Sequence, residues 1–189
     1  MACLEERSLT IERLREVLRL DWETGELYWE YRDLSSFPSE GAGKSWNSRY
    51  AGKKAGYLDR SNGYLACSVD GRNFWAHRLV FALVHGRFPE GQIDHINGIQ
   101  LDNRPENLRE VSCSENLRNA SRRADNKSGA TGVYWRDDRG KWQVRIRAHG
   151  KKVHLGYFSD FDEAVRVRKA AEVEFGYHKN HGRKRHEFS

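Results

Sequence analysis

Nowhere in the 189-residue chain does an apolar run approach the roughly 20 residues that a membrane span needs. The opening residues, MACLEERSLT, also lack the basic-then-apolar layout of a secretory signal. No membrane association is expected, and a cytoplasmic location is. Cysteine is scarce as well: Cys3, Cys67 and Cys113 are odd in number, far apart and in no Cys-x-x-Cys pair. That argues against both a disulfide framework and a zinc knuckle, and leaves reduced, structural thiols. Charge is abundant, with 32% of residues Asp, Glu, Lys or Arg. A chain of this length forms one domain or two small ones with modest cores.

The net charge of +6 is unevenly spread. Residues 1–60 and 61–120 each sum to −1, whereas residues 121–189 sum to +8. A basic last third on a near-neutral remainder implies that the C-terminal part grips a polyanion, nucleic acid first of all, while the middle does something else.

That middle contains IDHINGIQLDNRPENLREVSCSENLRN, residues 93–119. It sets Asp94 beside His95, with Asn107 and Asn116 downstream. These residue types suit phosphodiester hydrolysis. An imidazole takes a proton from water near neutral pH, and a carboxylate with an amide oxygen holds a hard divalent cation. Such a cation offsets charge building on the phosphate and the departing oxygen. Asn119, one helical turn beyond Asn116, is a weaker alternative ligand.

Local patterns supply the surrounding elements. SLTIERLREVLR (8–19) reads as an amphipathic helix capped by Ser8 or Thr10. LDWETGELYWEYR reads as a hairpin turning at Thr24-Gly25, and Tyr64 to Phe74 as another turning at Asp70-Gly71. Residues 34–56 lack apolar periodicity and read as loop. His77 to Val84 reads as a buried helix broken at Gly86, with His77 and His85 as packed core residues. Strands are expected at Gln92 to Ile96 and Leu108 to Val111, and a helix capped by Ser112 or Ser114 through Asn119. Strand, loop, strand and helix would bring Asp94, His95, Asn107 and Asn116 into one cleft.

These residues resemble the HNH endonucleases of the phage and group I intron homing type, whose fold is the ββα-metal or His-Me finger. AHRLVFALVHGRFPEGQ resembles that family's lead-in, and the likeness covers roughly residues 8–120. It implies His95 as general base, Asp94 and Asn116 as ligands of one divalent ion, Mg²⁺ foremost and Mn²⁺ as the other choice, and Asn107 as the residue that hydrogen-bonds His95 and fixes its ring. The third name-giving position is Asn here, which keeps an oxygen ligand.

Beyond a polar linker, Lys141 to Ala148 alternates strictly, with Trp142, Val144, Ile146 and Ala148 on one face and Lys141, Gln143, Arg145 and Arg147 on the other. Strands at Thr131 to Arg136 and Lys151 to Phe158 flank it, and Asp160 to Gly176 follows as a helix with Ala164, Val167, Ala171 and Phe175 as its apolar stripe. TGVYWR, GKWQVRIR, KKVHLGYF and FDEAVRVRKAA resemble the ethylene-response-factor (Apetala-two-type) DNA-binding domain. That likeness implies that Tyr134, Arg136, Arg145, Arg147, Lys152 and His154 face DNA. The tail YHKNHGRKRHEFS reads as basic and flexible.

The expected class is α+β: a ββα-metal nuclease domain followed by a three-stranded antiparallel sheet on one helix. The expected divisions are an N-terminal region (1–60), the nuclease domain (61–121), a linker (122–127), the sheet domain (128–177) and the tail (178–189). The expected function is a site-selective, metal-dependent endonuclease acting on double-stranded DNA, as a monomer in the simplest case. The alternative is a non-catalytic DNA-binding regulator with a degenerate finger.

Overall fold

The computed structural model describes residues 9–119, 122, 125–179 and 181–183, without the side chains of residues 114, 117 and 119. Cys3, Arg123 and Ala124 of the linker and the end of the basic tail lie outside the described residues. The chain is mixed α and β, with several small antiparallel sheets, and divides into two compact units, Met1–Ser112 and Cys113–Ser189.

The first unit opens with α1 (Ile11–Val17), whose cap is Thr10: its hydroxyl accepts from Arg13 N. Strands β1 (Leu18–Leu20) and β2 (Leu27–Trp29) form a hairpin, with Gly25 in the left-handed region at the turn. The stretch expected as loop contains α2 (Glu40–Tyr50). Only Gly43 and Asn47 of α2 are buried, so no apolar stripe announces it. It is held instead by the Ser39 cap, by Trp46 against Trp29, Phe37 and Tyr50, and by Asn47, which exchanges hydrogen bonds with the Arg32 backbone.

Strands β3 (Tyr57–Asp59), β4 (Tyr64–Val69) and β5 (Arg72–Trp75) form a sheet, with Asp70 and Gly71 both at positive φ in the β4–β5 turn. Then α3 (Ala76–His85) buries Leu79, Val80, Phe81 and Ala82 and ends on left-handed Gly86. Strands β6 (Gln92–His95) and β7 (Leu108–Val111) pair antiparallel, Asp94 opposite Arg109 and His95 opposite Leu108. One core joins Leu14, Val17, Leu18 and Leu27 to Cys67, Leu79, Val80, Ile93 and Leu108. The division expected at residue 60 therefore has no counterpart in the packing: the early helix and hairpin bury their apolar faces against the same core as the later strands.

The second unit begins with α4 (Cys113–Asn119). Strands β8 (Val133–Arg136), β9 (Lys141–Ala148) and β10 (Lys151–Phe158) form a sheet with β9 central, and α5 (Phe161–Glu174) follows, capped by Asp160. Its core is Val133, Val144 and Ala164, packed with Trp142, Leu155, Phe158 and Phe161. α5 departs from the expected stripe by also burying Arg168 and Glu172, whose side chains pair at 3.1 Å. Gly132 makes this possible, since a β-carbon there would lie 2.3 Å from Arg168 Nε. Part of the expected flexible tail is packed: His181 is buried, its ring 4.6 Å from that of Tyr177.

Candidate active site

The β6–β7 ladder sets the frame. His95 ends β6 and is buried, and next to it Asp94 is buried on the opposite face of the strand. The chain then turns at Asn97-Gly98, where Gly98 N–H donates to His95 O at 2.8 Å. The loop that returns to β7 carries Asp102 and Asn103. Asn103 is buried, and its Oδ1 lies 2.9 Å from His95 Nε2. An amide oxygen only accepts, so Nε2 carries the proton and Nδ1 is the basic nitrogen of the neutral ring.

This differs from what the likeness implied for Asn107. The Asn107 carboxamide turns into the loop, where Oδ1 accepts from Asn97 N–H at 2.9 Å and Nδ2 donates to Asp102 O at 2.7 Å. Its backbone oxygen accepts from Ile96 N–H at 2.9 Å. Asn107 thus staples together the two ends of the loop that carries Asn103, and Asn103 makes the contact with the imidazole. Asp102 is tied down too, by Asn97 Nδ2 at 2.7 Å and by Arg104, whose guanidinium holds the carboxyl below its ordinary value. Sequence reasoning passed over Asn103. The signal available was a polar residue midway through a loop whose two ends are pinned.

Asp94 faces Arg109 across the ladder. Arg109 Nε and Nη2 donate to the same oxygen, Asp94 Oδ2, at 3.0 and 2.8 Å. A buried carboxylate requires such a partner or a cation.

Two further rings crowd His95. His77, on the first turn of α3, sits edge-on to it with centroids 5.3 Å apart, and Tyr64 of β4 leans on His77 and His95 at 5.1 and 5.9 Å. His77 is buried as expected of a core residue, yet its Nδ1 has no hydrogen-bond partner. Burial first, then the proximity of His95 and Arg78, pushes its pKa down to about 3, so the ring is neutral at working pH. Cys67 is buried in the core, which pushes its thiol up to about 12 and makes it inert.

Asp94, His95 and Asn107 thus stand in the first unit. Asn116 is half-buried on α4, in the second unit. The Asn119 side chain lies outside the described residues. Among the described residues no group of three or more His, Cys, Asp or Glu side chains is arranged to hold a metal ion. The oxygen donors present, one carboxylate and neutral amides, fit a hard divalent cation that keeps water in most of its coordination shell.

Residues 74–118 match the HNH endonuclease family. The match begins on β5 and takes in α3, both strands of the ladder, the Asn103 loop and nearly all of α4. The chain is also 35% identical over 77 residues to Protein 3.8 of Escherichia phage T7, an alignment covering 40% of this chain and 64% of that protein. The chain thus spans less than two thirds of that relative. No solved structure matches the chain. No helix among the described residues is long and apolar enough to cross a membrane.

In the second unit the β-sheet register brings the six other candidates to one face. His154 pairs with Arg145 and Lys152 with Arg147, while Tyr134 and Arg136 pair with Gln143 and Lys141. Arg136 is already engaged by Asp138, at 2.8 and 3.1 Å. Arg147 reaches the Gly150 carbonyl at 3.4 Å, and among the described residues no carboxylate pairs with Arg145, Arg147 or Lys152.

Proposed function

We propose that the chain is a metal-dependent DNA endonuclease of homing type, with a ββα-metal active centre, in which His95 is the general base. The observation that carries this is the Asn103–His95 contact, which fixes a buried imidazole in the tautomer whose Nδ1 is basic, beside a buried carboxylate, within the HNH-matching segment. His95 takes a proton from water, the water oxygen attacks phosphorus, and the bond from phosphorus to the 3′ oxygen breaks. Asp94 supplies a carboxylate oxygen for the divalent ion, Mg²⁺ by donor hardness and Mn²⁺ next. Asn116 is the second ligand by its place in the HNH pattern. When bound, the ion offsets charge on the phosphate and on the departing oxygen. Asn107 acts through the loop and not on the ring.

The basic sheet face of the second unit grips double-stranded DNA and gives site preference, in the manner of the ethylene-response-factor likeness, which rests on sequence pattern alone. Exposed cations on adjacent strands repel one another unless a polyanion lies across them.

Purified full-length protein incubated with supercoiled plasmid DNA tests the reading. Nicking or linearisation with Mg²⁺, absent with EDTA and in His95→Ala while DNA binding persists, is the expected result. The regulator reading has one observation on its side, the engagement of Asp94 by Arg109. Tight binding without cleavage in any divalent metal establishes it instead.

A further inference from the structure

An unexplained group in the first unit is His77. An imidazole buried among aromatic rings gives up its hydration, and a core position needs no nitrogen to be filled. Nδ1 of His77 is sealed from solvent and has no partner. Nδ1 goes unsatisfied with or without a proton, so the favoured tautomer is the one that carries the N–H on Nε2, where a partner can reach it. Nε2 is not among the sealed, partnerless atoms, and no described residue accepts from it. It is the nitrogen available to something outside the core.

Its location says what that is. His77 is edge-on to His95 at 5.3 Å, and Tyr64 packs on both rings and limits their rotation. It is also the second residue of α3, a helix whose N-cap, Trp75, offers no side-chain acceptor to the first-turn N–H groups. The positive end of the helix dipole favours an anion there and disfavours an imidazolium.

We propose that His77 is a second catalytic histidine, its neutral Nε2–H donating to a non-bridging oxygen of the phosphodiester attacked at His95. This rests on the reading of His95 as base. A neutral donor held in place stabilises charge that grows on the phosphate without competing with a divalent ion for it.

The test compares single-turnover cleavage of supercoiled plasmid DNA in Mg²⁺ by the full chain and by His77→Ala, His77→Asn, His77→Gln and His95→Ala, with DNA affinity measured in parallel. Gln carries its amide nitrogen near the place of Nε2, and Asn near that of Nδ1. Losing one preorganised donor slows His77→Ala and His77→Asn about 10²-fold with affinity nearly unchanged, and His77→Gln recovers to within about tenfold of the parent. Asn is one methylene shorter than Gln, so melting of each variant is measured alongside, and a packing defect shows as a rate that follows stability. Equal rates for Asn and Gln, or parental cleavage by His77→Ala, overturn the proposal while leaving His95 as base. Cleavage by His95→Ala, or none by the parent chain, overturns the reading beneath it.

Discussion

Gly25, at the tip of the first hairpin, lies so close to Asn103 that a β-carbon would stand 2.2 Å from the Asn103 carbonyl carbon and 2.4 Å from its oxygen. The turn needs glycine twice over, for this approach and for its φ of +71°. A hairpin seventy-odd residues upstream thus buttresses the loop whose Asn103 side chain meets the His95 imidazole. Gly25→Ala should lower stability by more than about 1 kcal/mol and cut cleavage at least about tenfold by shifting Asn103. Parental cleavage in that variant would show that the hairpin does not position the loop.

Asn103 and Asn107 should separate by readout. Asn103→Ala removes the acceptor at His95 Nε2, and cleavage should fall about 10–100-fold with little change in melting. Asn107→Ala removes two loop hydrogen bonds, and melting should report a loss of about 1–3 kcal/mol. A larger cleavage defect in Asn107→Ala at unchanged stability would restore the direct role that the family likeness implied.

Asp94 is 7% exposed at its side chain and meets the Arg109 guanidinium across the ladder. Arg109→Ala removes both of the donors that reach Asp94 Oδ2 from that side chain. Because Arg109 is itself 36% exposed, the loss should be about 1–3 kcal/mol and not the full cost of a buried pair. Mg²⁺ should recover more stability in the variant than in the parent, as seen by thermal melting with and without metal. An equal metal effect in both would remove Asp94 from the ligand set.

Acid should destabilise both units. His77 and His181 are held near 3 and 4, against 6.5 for the free side chain, chiefly by burial. The unfolded chain therefore binds more protons than the folded one between those values. Stability is full above pH 6.5 and falls as pH drops toward 4 and then 3, by about 1.4 kcal/mol per pH unit for each histidine. Urea titrations across this range check the sign, and His77→Gln should flatten the slope for the first unit.

On the sheet face, Arg145→Ala and Arg147→Ala should relax sequence preference, whereas Lys152→Ala should weaken binding evenly and lower the salt slope by about one. A footprint indifferent to both arginine changes would exclude them as base readers.

The sequence by itself determined what is local. Thr24-Gly25 and Asp70-Gly71 announce their hairpins because only such residues accept the turn's positive φ, and the alternation along Lys141–Ala148 announces a two-faced strand. It also singled out Asp94 and His95, through residue type and spacing within a segment that matches the HNH family. It read the α2 stretch as loop, because that helix has almost no buried face, and it missed the buried Arg168–Glu172 pair, which exists because Gly132 leaves room for it. Only the tertiary structure decided that Asn103 and not Asn107 meets His95, that Gly25 backs that contact, and that His77 and Tyr64 close around the ring. Periodicity reports which side of one element turns inward. Which side chains meet depends on how separate elements close upon one another, and spacing along the chain does not carry that.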